Sequence, residues 1–176
     1  PEDDVTAGAS GAWTISYTAG PAGIEPGGSV RFEIPYGFTP PQLLWNHDPG
    51  YCRATCSQPG VRLRASLEVP IARDPEPFYY VTRWGRMVYV QVLEEKLLEG
   101  ERIELSYGAR RQMEAGALAQ HFAGDAEFTV ATDCDGTRSA RFSGYALLAV
   151  QPVLHVVADL PERLHVAAPS YVQMGE

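Results

Sequence analysis

Positive charge is scarce in this chain of 176 residues, and its scarcity excludes one class of function. The sequence has 14 Lys and Arg against 22 Asp and Glu, which gives a formal net charge of −8. Nucleic-acid binding requires clustered basic side chains that neutralise phosphates. The doublet Arg110-Arg111 is too small for such a cluster and is typical of a solvated loop. We therefore expect no nucleic-acid partner.

Long apolar runs and cysteine are also scarce. No run approaches the ~20 apolar residues that a membrane-spanning helix needs, so we expect no membrane partner. Three cysteines leave an odd thiol, which does not support a disulfide framework. The compartment stays open, with a lean towards a reducing one such as the cytoplasm. The chain starts at Pro1 without Met or a signal sequence, which indicates processing or a piece of a longer protein.

The chain is rich in alternating apolar and polar residues. Residues 61–69 alternate without a break, with Val61, Leu63 and Leu67 among the apolar positions. A period of two is typical of a half-buried β-strand. Residues 87–93 carry more β-branched side chains and predict a more central partner strand. The 17 glycines and 14 prolines fall between such runs, as the turns of an all-β fold require.

The predicted fold is all-β: a two-sheet antiparallel β-sandwich, immunoglobulin-like or jelly-roll-like, with one short peripheral helix. The helix candidate is residues 109–123, where Ala, Gln, Met, Glu and Leu are frequent. Residues 35–60 form the longest irregular segment. The remaining strands are predicted at residues 13–18, 30–34, 78–82, 102–107, 126–132, 142–150, 153–159 and 163–167.

The predicted sandwich occupies most of the chain as one domain. Residues 1–10 are acidic and small, and we expect them to form a loose lead-in. Residues 11–168 are the β-sandwich. Residues 169–176 are interpreted as a linker or as the start of a following domain.

Four phrases occur in one order along the chain: GAWTISYTAGPAGIEPGGSVRFEIP, LLEGERIELSYGARRQ, HFAGDAEFTVATDCDGT and LHVVADLPERLHVAAPSYVQMGE. In these phrases the chain resembles the amino-terminal β-rich region of large bacterial proteins of the domain-of-unknown-function kind. The resemblance implies an immunoglobulin-like segment and a PHP-like metal-dependent hydrolase domain further along the polypeptide. That hydrolase domain has a Gly-Asp-x-His-x-His type motif, and no His-x-His occurs here. The resemblance therefore carries no catalytic residue, metal ligand or cofactor over to this chain.

The cysteines leave several interpretations open. Cys52 and Cys56 stand four positions apart, and Cys134 lies far along the chain. A structural zinc site needs four ligands, so these thiols would need His47 or another side chain to complete it. A Cys52–Cys56 disulfide is a second option, and free, partly buried thiols are the favoured one. A cysteine nucleophile activated by His47 and Asp48 is a further hypothesis.

A short acidic motif at residues 133–136 resembles the start of a calcium loop. Asp133 and Asp135 precede Gly136, but the twelfth position of the motif is Gly144 where a calcium loop requires Glu. Asp-Gly between two alternating runs predicts a hairpin turn instead.

Aromatic side chains are concentrated in residues 35–60. Tyr36, Trp45 and Tyr51, with Trp84 further along, are candidates for a platform that stacks on sugar rings in a carbohydrate-binding module. The competing interpretation is that these aromatics close the open end of the sandwich core.

The leading hypothesis for function is a non-catalytic accessory domain that packs against, orients or gates a hydrolase domain downstream in the same polypeptide. Its partner surface would be residues 35–60 and the carboxy-terminal hairpin. His155 and His165 alternate with apolar positions of that hairpin, so we expect them on its outer face as interdomain residues. The alternative hypothesis is the carbohydrate-binding module.

Overall fold

A computed structural model describes residues 4–67, 85–108, 116–136 and 145–160. Within these ranges every regular secondary-structure element is a β-strand. The predicted all-β class, with antiparallel sheets packed around one core, is confirmed. The strands are β1 (Val5–Thr6), β2 (Ser10–Gly11), β3 (Trp13–Thr18), β4 (Ser29–Glu33), β5 (Cys52–Cys56), β6 (Leu63–Ser66), β7 (Met87–Val92), β8 (Arg102–Tyr107), β9 (Ala117–Leu118), β10 (Gly124–Glu127), β11 (Thr129–Asp133), β12 (Ala146–Leu147) and β13 (Val153–Val157).

Two sheets supply most of the core. One has five strands in the order β12-β11-β4-β7-β6, and the other has three in the order β3-β8-β5. Smaller sheets join β1-β13-β10 and β2-β9. Alternation in β4 and β7 points Val30, Phe32, Val88 and Val90 into the same core as Ile15 and Leu105 of the second sheet. A single apolar core therefore unites the two sheets.

The predicted pairing of residues 61–69 with residues 87–93 is confirmed. β6 runs antiparallel to β7 with Leu63 opposite Val92 and Ala65 opposite Val90. β7 lies between β4 and β6, so its apolar residues are more deeply buried than those of β6. The strand predicted at residues 61–69 is thus at a sheet edge, and the centre of the five-stranded sheet is β4.

The prediction that residues 35–60 are irregular throughout is wrong. Residues Cys52–Cys56 form β5, which pairs along its whole length with β8. Arg53 and Thr55 are exposed, whereas Cys52 is buried, so the segment does alternate. The short alternation was hidden because turn residues stand on both sides of it.

Two predicted boundaries also change. The predicted strand at residues 126–132 is two strands in different sheets, β10 and β11. They separate at Phe128, which is buried and whose backbone N–H bonds to the Pro152 carbonyl. The loose lead-in predicted at residues 1–10 is wrong for Val5–Thr6, which pair in parallel with β13 because its edge offers free backbone groups.

The predicted peripheral helix is wrong where the structure describes it. Residues 117–118 of the candidate 109–123 form β9, which pairs with β2 and buries Ala117. Backbone pairing with β2 here outweighs the helix propensity of Ala and Leu, which is a weak local preference. Residues 109–115 lie outside the described residues, as do Trp84, His165, residues 169–176 and the strands predicted at 78–82 and 163–167.

Candidate functional site

The segment between β4 and β5 ends in a closed loop, residues 42–50. The backbone N–H of Gln42 donates to the Gly50 carbonyl at 3.0 Å, and the N–H of Cys52 donates to the Gln42 carbonyl at 2.8 Å. Gly50 has a φ of 79°, and a Cβ there would overlap the Pro40 carbonyl oxygen. Only glycine therefore fits at the base of this loop.

The side chain of Gln42 holds the loop from inside. Its Oε1 accepts from the backbone N–H groups of Leu44 at 2.8 Å and Trp45 at 2.9 Å. Its Nε2 donates to the carbonyls of Trp45 at 2.5 Å and Asp48 at 3.2 Å. One amide thus bonds four backbone groups that no strand could satisfy. We call residues 42–50 the braced loop.

The braced loop presents apolar side chains to solvent. Leu44 is 81% exposed and Trp45 is 59% exposed. The His47 ring lies 6.2 Å from the indole of Trp45 at a tilt of 52°, and its Nε2 is 3.5 Å from an Asp48 carboxylate oxygen. The arrangement is a fixed apolar surface with polar side chains beside it, which suits contact with a partner better than proton transfer.

A buried aromatic cluster anchors the chain that leads into the loop. Phe38 packs edge-on against Trp13 and Phe128, with ring centroids 5.4 Å apart in each case. Tyr107 stacks on Trp13 at 5.7 Å and donates its hydroxyl to the Thr39 carbonyl at 2.5 Å. Burial raises the pKa of Tyr107, so the hydroxyl keeps its proton and remains a donor.

The described candidates of the predicted aromatic platform have different neighbours. Tyr36 is 76% exposed and lies under the Arg86 guanidinium, whose carbon is 5.3 Å from the ring centroid. Arg86 is itself fixed by the carbonyls of Pro35 and Phe38. Tyr51 is half-buried and forms a bridge with Gln42.

Trp45 is the third described candidate of the platform, and its ring lies next to the His47 ring. Among the described residues no ring contact joins Tyr36, Trp45 and Tyr51 to one another.

The cysteine hypotheses meet a geometric obstacle. Cys52 and Cys56 are the two ends of the extended strand β5, so their Cα atoms are roughly 13 Å apart, beyond the reach of a disulfide. All three cysteines are free thiols. Burial raises the pKa of Cys52 to about 12, the opposite of what an activated nucleophile needs. His47 and Asp48 lie in the braced loop with exposed side chains, whereas the buried Cys52 thiol donates to the Gly50 carbonyl.

The acidic motif begins at the last residue of β11. β11 ends at Asp133, and β12 pairs with it through Ala131 opposite Leu147. Burial raises the pKa of Asp133, and its side-chain hydrogen bond with Asp135 and the charge of that carboxylate add to the effect. Within the described ranges no group of three or more His, Cys, Asp or Glu side chains is placed to hold a metal ion.

His155 lies on the outer face of β13, as the alternation of its strand predicted. The other histidine of that prediction, His165, lies outside the described residues. It stands opposite Asp125 of β10, and its Nδ1 bonds to that carboxylate. The hydrogen bond and the charge of Asp125 raise the pKa of His155.

Gln42 and Leu44 are the site residues that sequence reasoning missed. The run Leu43-Leu44-Trp45 inside a loop was a usable signal, because an apolar run outside a strand must be buried or displayed. The bracing role of Gln42 left no pattern in the sequence, since it depends on where the loop folds back.

No family model matches the chain, and no curated protein matches it. The described residues contain no helix that is long and apolar enough to cross a membrane.

Proposed function

We propose that this chain is a non-catalytic interaction domain that packs on a neighbouring domain of the same polypeptide through the braced loop. The observation that carries the proposal is the Gln42 side chain, which fixes four backbone groups of a loop displaying Leu44 and Trp45. A loop that is ordered before binding loses little conformational entropy on docking, so its apolar side chains contribute more of their burial to affinity. Exposed Trp is also the kind of side chain that forms the buried centre of an interface.

The partner surface proposed here is narrower than residues 35–60 as a whole. Leu44 and Trp45 are adjacent in sequence and exposed on one closed loop, whereas β5 in the same segment is part of the core. The neighbouring domain would supply an apolar pocket. In the wider hypothesis that neighbour is the hydrolase domain implied by the resemblance.

Amide hydrogen exchange tests the proposal. The amides of residues 42–50 are measured in this chain alone and in the full-length polypeptide. We expect slower exchange in the full-length protein, and we expect Leu44→Ser to abolish the difference. Val150→Ser is the matched control, because Val150 is also strongly exposed (82%) but lies outside the braced loop. Equal exchange in the two proteins would overturn the proposal.

A second candidate function is carbohydrate binding through Trp45. The specific observation is that the exposed indole stands beside His47 and Asp48, polar side chains able to bond sugar hydroxyls. In a polysaccharide binding panel, Trp45→Ala should remove a sugar interaction whereas Leu44→Ser should leave it. If both variants lose the slower amide exchange of the full-length protein, and the chain binds no polysaccharide of the panel, domain packing is favoured instead.

A further inference from the structure

Strand β3 forms one edge of the three-stranded sheet. In the order β3-β8-β5 it pairs with β8 along its whole length and with no other described strand. Just after the strand, the backbone N–H of Ala19 donates to the Glu101 carbonyl at 2.9 Å. Successive residues of an antiparallel strand direct their backbone groups to opposite sides, so the odd-numbered residues of β3 bond β8. The N–H and carbonyl groups of Thr14, Ser16 and Thr18 therefore point away from β8, into the free edge.

The same three residues are accessible to a partner. Their side chains are exposed on the outer face of the sheet, whereas Ile15 and Tyr17 between them are buried in the core. Among the described residues no strand or loop backbone bonds the outward groups of Thr14, Ser16 and Thr18. A row of unpaired N–H and carbonyl groups at a sheet edge is a template for a further strand.

Other edges of the two large sheets are protected in ways that the β3 edge is not. The N–H of Cys52, at the start of β5, donates to the Gln42 carbonyl. β6 has four residues and carries the exposed Arg64, and β12 has two residues. Covering chain, charge and short length are the usual protections against edge-to-edge pairing. β3 has six residues, none of them charged and none of them proline, and no bulge interrupts its register with β8.

We propose that the free edge of β3 binds the same edge of a second copy of this chain, which joins the two three-stranded sheets into one continuous antiparallel sheet. A two-fold axis at Ser16 places Ser16 of the two copies opposite each other and places Thr14 opposite Thr18 of the second copy. In this register each outward N–H donates to a carbonyl of the other copy. Pairs of Thr and Ser side chains across neighbouring strands are favourable, so the hydroxyl side chains suit this register too.

The charges around β3 favour a second copy over a strongly charged segment of another protein. β3 itself is uncharged, so no like charges face each other across the two-fold axis. The charged residues on the outer face of the same sheet are Arg53, Arg102 and Glu104, two positive and one negative. The net charge of −8 therefore arises outside this face. β3 is not part of the braced loop, so this inference goes beyond the proposed function and does not rest on it.

Sedimentation velocity at chain concentrations from about 10 μM to about 1 mM tests the proposal, because a single strand pair buries less than the roughly 1,200 Å² of a standard interface and should give a weak, concentration-dependent dimer. Ser16→Lys places two ammonium groups opposite each other and should raise the dimer dissociation constant about tenfold or more. Ser16→Pro removes an outward N–H that makes no bond within the chain, and it should weaken the dimer as well.

Thr55→Lys is the matched control, because Thr55 is exposed on the same face but lies on β5, with β8 between it and β3. It should dimerise as the parent chain does. A mixture of Ser16→Lys and Ser16→Glu should recover the dimer, since opposite charges then face each other across the axis. This recovery separates lost pairing from lost folding, because a misfolded variant could not be rescued by the other variant.

Three results would overturn the proposal: a parent chain that stays monomeric at about 1 mM, a Ser16→Lys variant that dimerises as well as Thr55→Lys, or a mixture that associates no better than Ser16→Lys alone. A dimer that is lost in Leu44→Ser and kept in Ser16→Lys would assign self-association to the braced loop and would overturn it too.

Discussion

Phe38 and Trp45 lie seven positions apart in one segment, yet the fold uses them in opposite ways. Phe38 is 2% exposed and packs between Trp13 and Phe128, whereas Trp45 is 59% exposed on a loop held by an amide. The first aromatic is held by apolar burial and the second is displayed by hydrogen bonds. The comparison shows that one aromatic-rich segment can bury one ring in the core and hold another in solvent.

Truncation of the two aromatics should give the largest contrast. Phe38→Ala is expected to lower the free energy of unfolding by about 3–5 kcal/mol, because it leaves a cavity in the aromatic cluster. Trp45→Ala should change it by no more than about 0.5 kcal/mol, since the indole contributes little buried surface. Urea unfolding measures both values. Equal losses of unfolding free energy in the two variants would contradict the conclusion that Phe38 anchors the fold and that Trp45 does not.

Loss of the hydrogen bond between the aromatic cluster and the chain that leads into the braced loop should have the next largest effect on stability. Tyr107→Phe removes the hydrogen bond to the Thr39 carbonyl and should cost about 1–3 kcal/mol, because that carbonyl loses a buried donor. Tyr36→Phe is the control, since the Tyr36 side chain is exposed. Thermal or urea unfolding of the pair measures the difference, and a stable Tyr107→Phe variant would show that apolar packing alone holds the anchor.

The Gln42 side chain should matter more for the order of the braced loop than for the free energy of unfolding. Gln42→Ala removes four bonds to the loop backbone but lies at the surface, so we expect about 1 kcal/mol in the free energy of unfolding. The amides of Leu44 and Trp45 should exchange much faster in hydrogen-exchange measurements. Gln42→Glu keeps the acceptor for these two amides but turns its second oxygen towards the Trp45 and Asp48 carbonyls, so it should preserve only part of their protection. Unchanged exchange in Gln42→Ala would show that the loop is held by other contacts.

The smallest effect is expected at β13, remote from both aromatics in the sequence. The pKa of His155 is raised in the folded state by Asp125, so its stabilising contribution is complete below the unfolded pKa of about 6.5 and is lost as pH rises through the folded value. Both side chains are exposed, so salt should weaken the effect. NMR titration of the imidazole should give a lower pKa in Asp125→Asn than in the parent chain. An identical pKa in the two proteins would contradict the contact.

The residues of the candidate site show where sequence reasoning reached and where it stopped. The exposed position of Trp45 in a loop was among the predicted alternatives, and the outer-face position of His155 followed from alternation in its strand. Gln42 could not be found, because a side chain that bonds backbone groups two to six positions away has no periodic signature.

The amino-acid sequence by itself determined that this protein is all-β, that β3, β4, β7 and β8 run where they do, and that β6 pairs with β7. These features follow from a local period of two, which fixes which side chains can be buried together. Only the tertiary structure decided that β5 exists, that residues 126–132 divide between two sheets, and that residues 117–118 are extended. In each case the deciding free energy came from backbone pairing and burial against distant strands, which no short stretch of sequence contains.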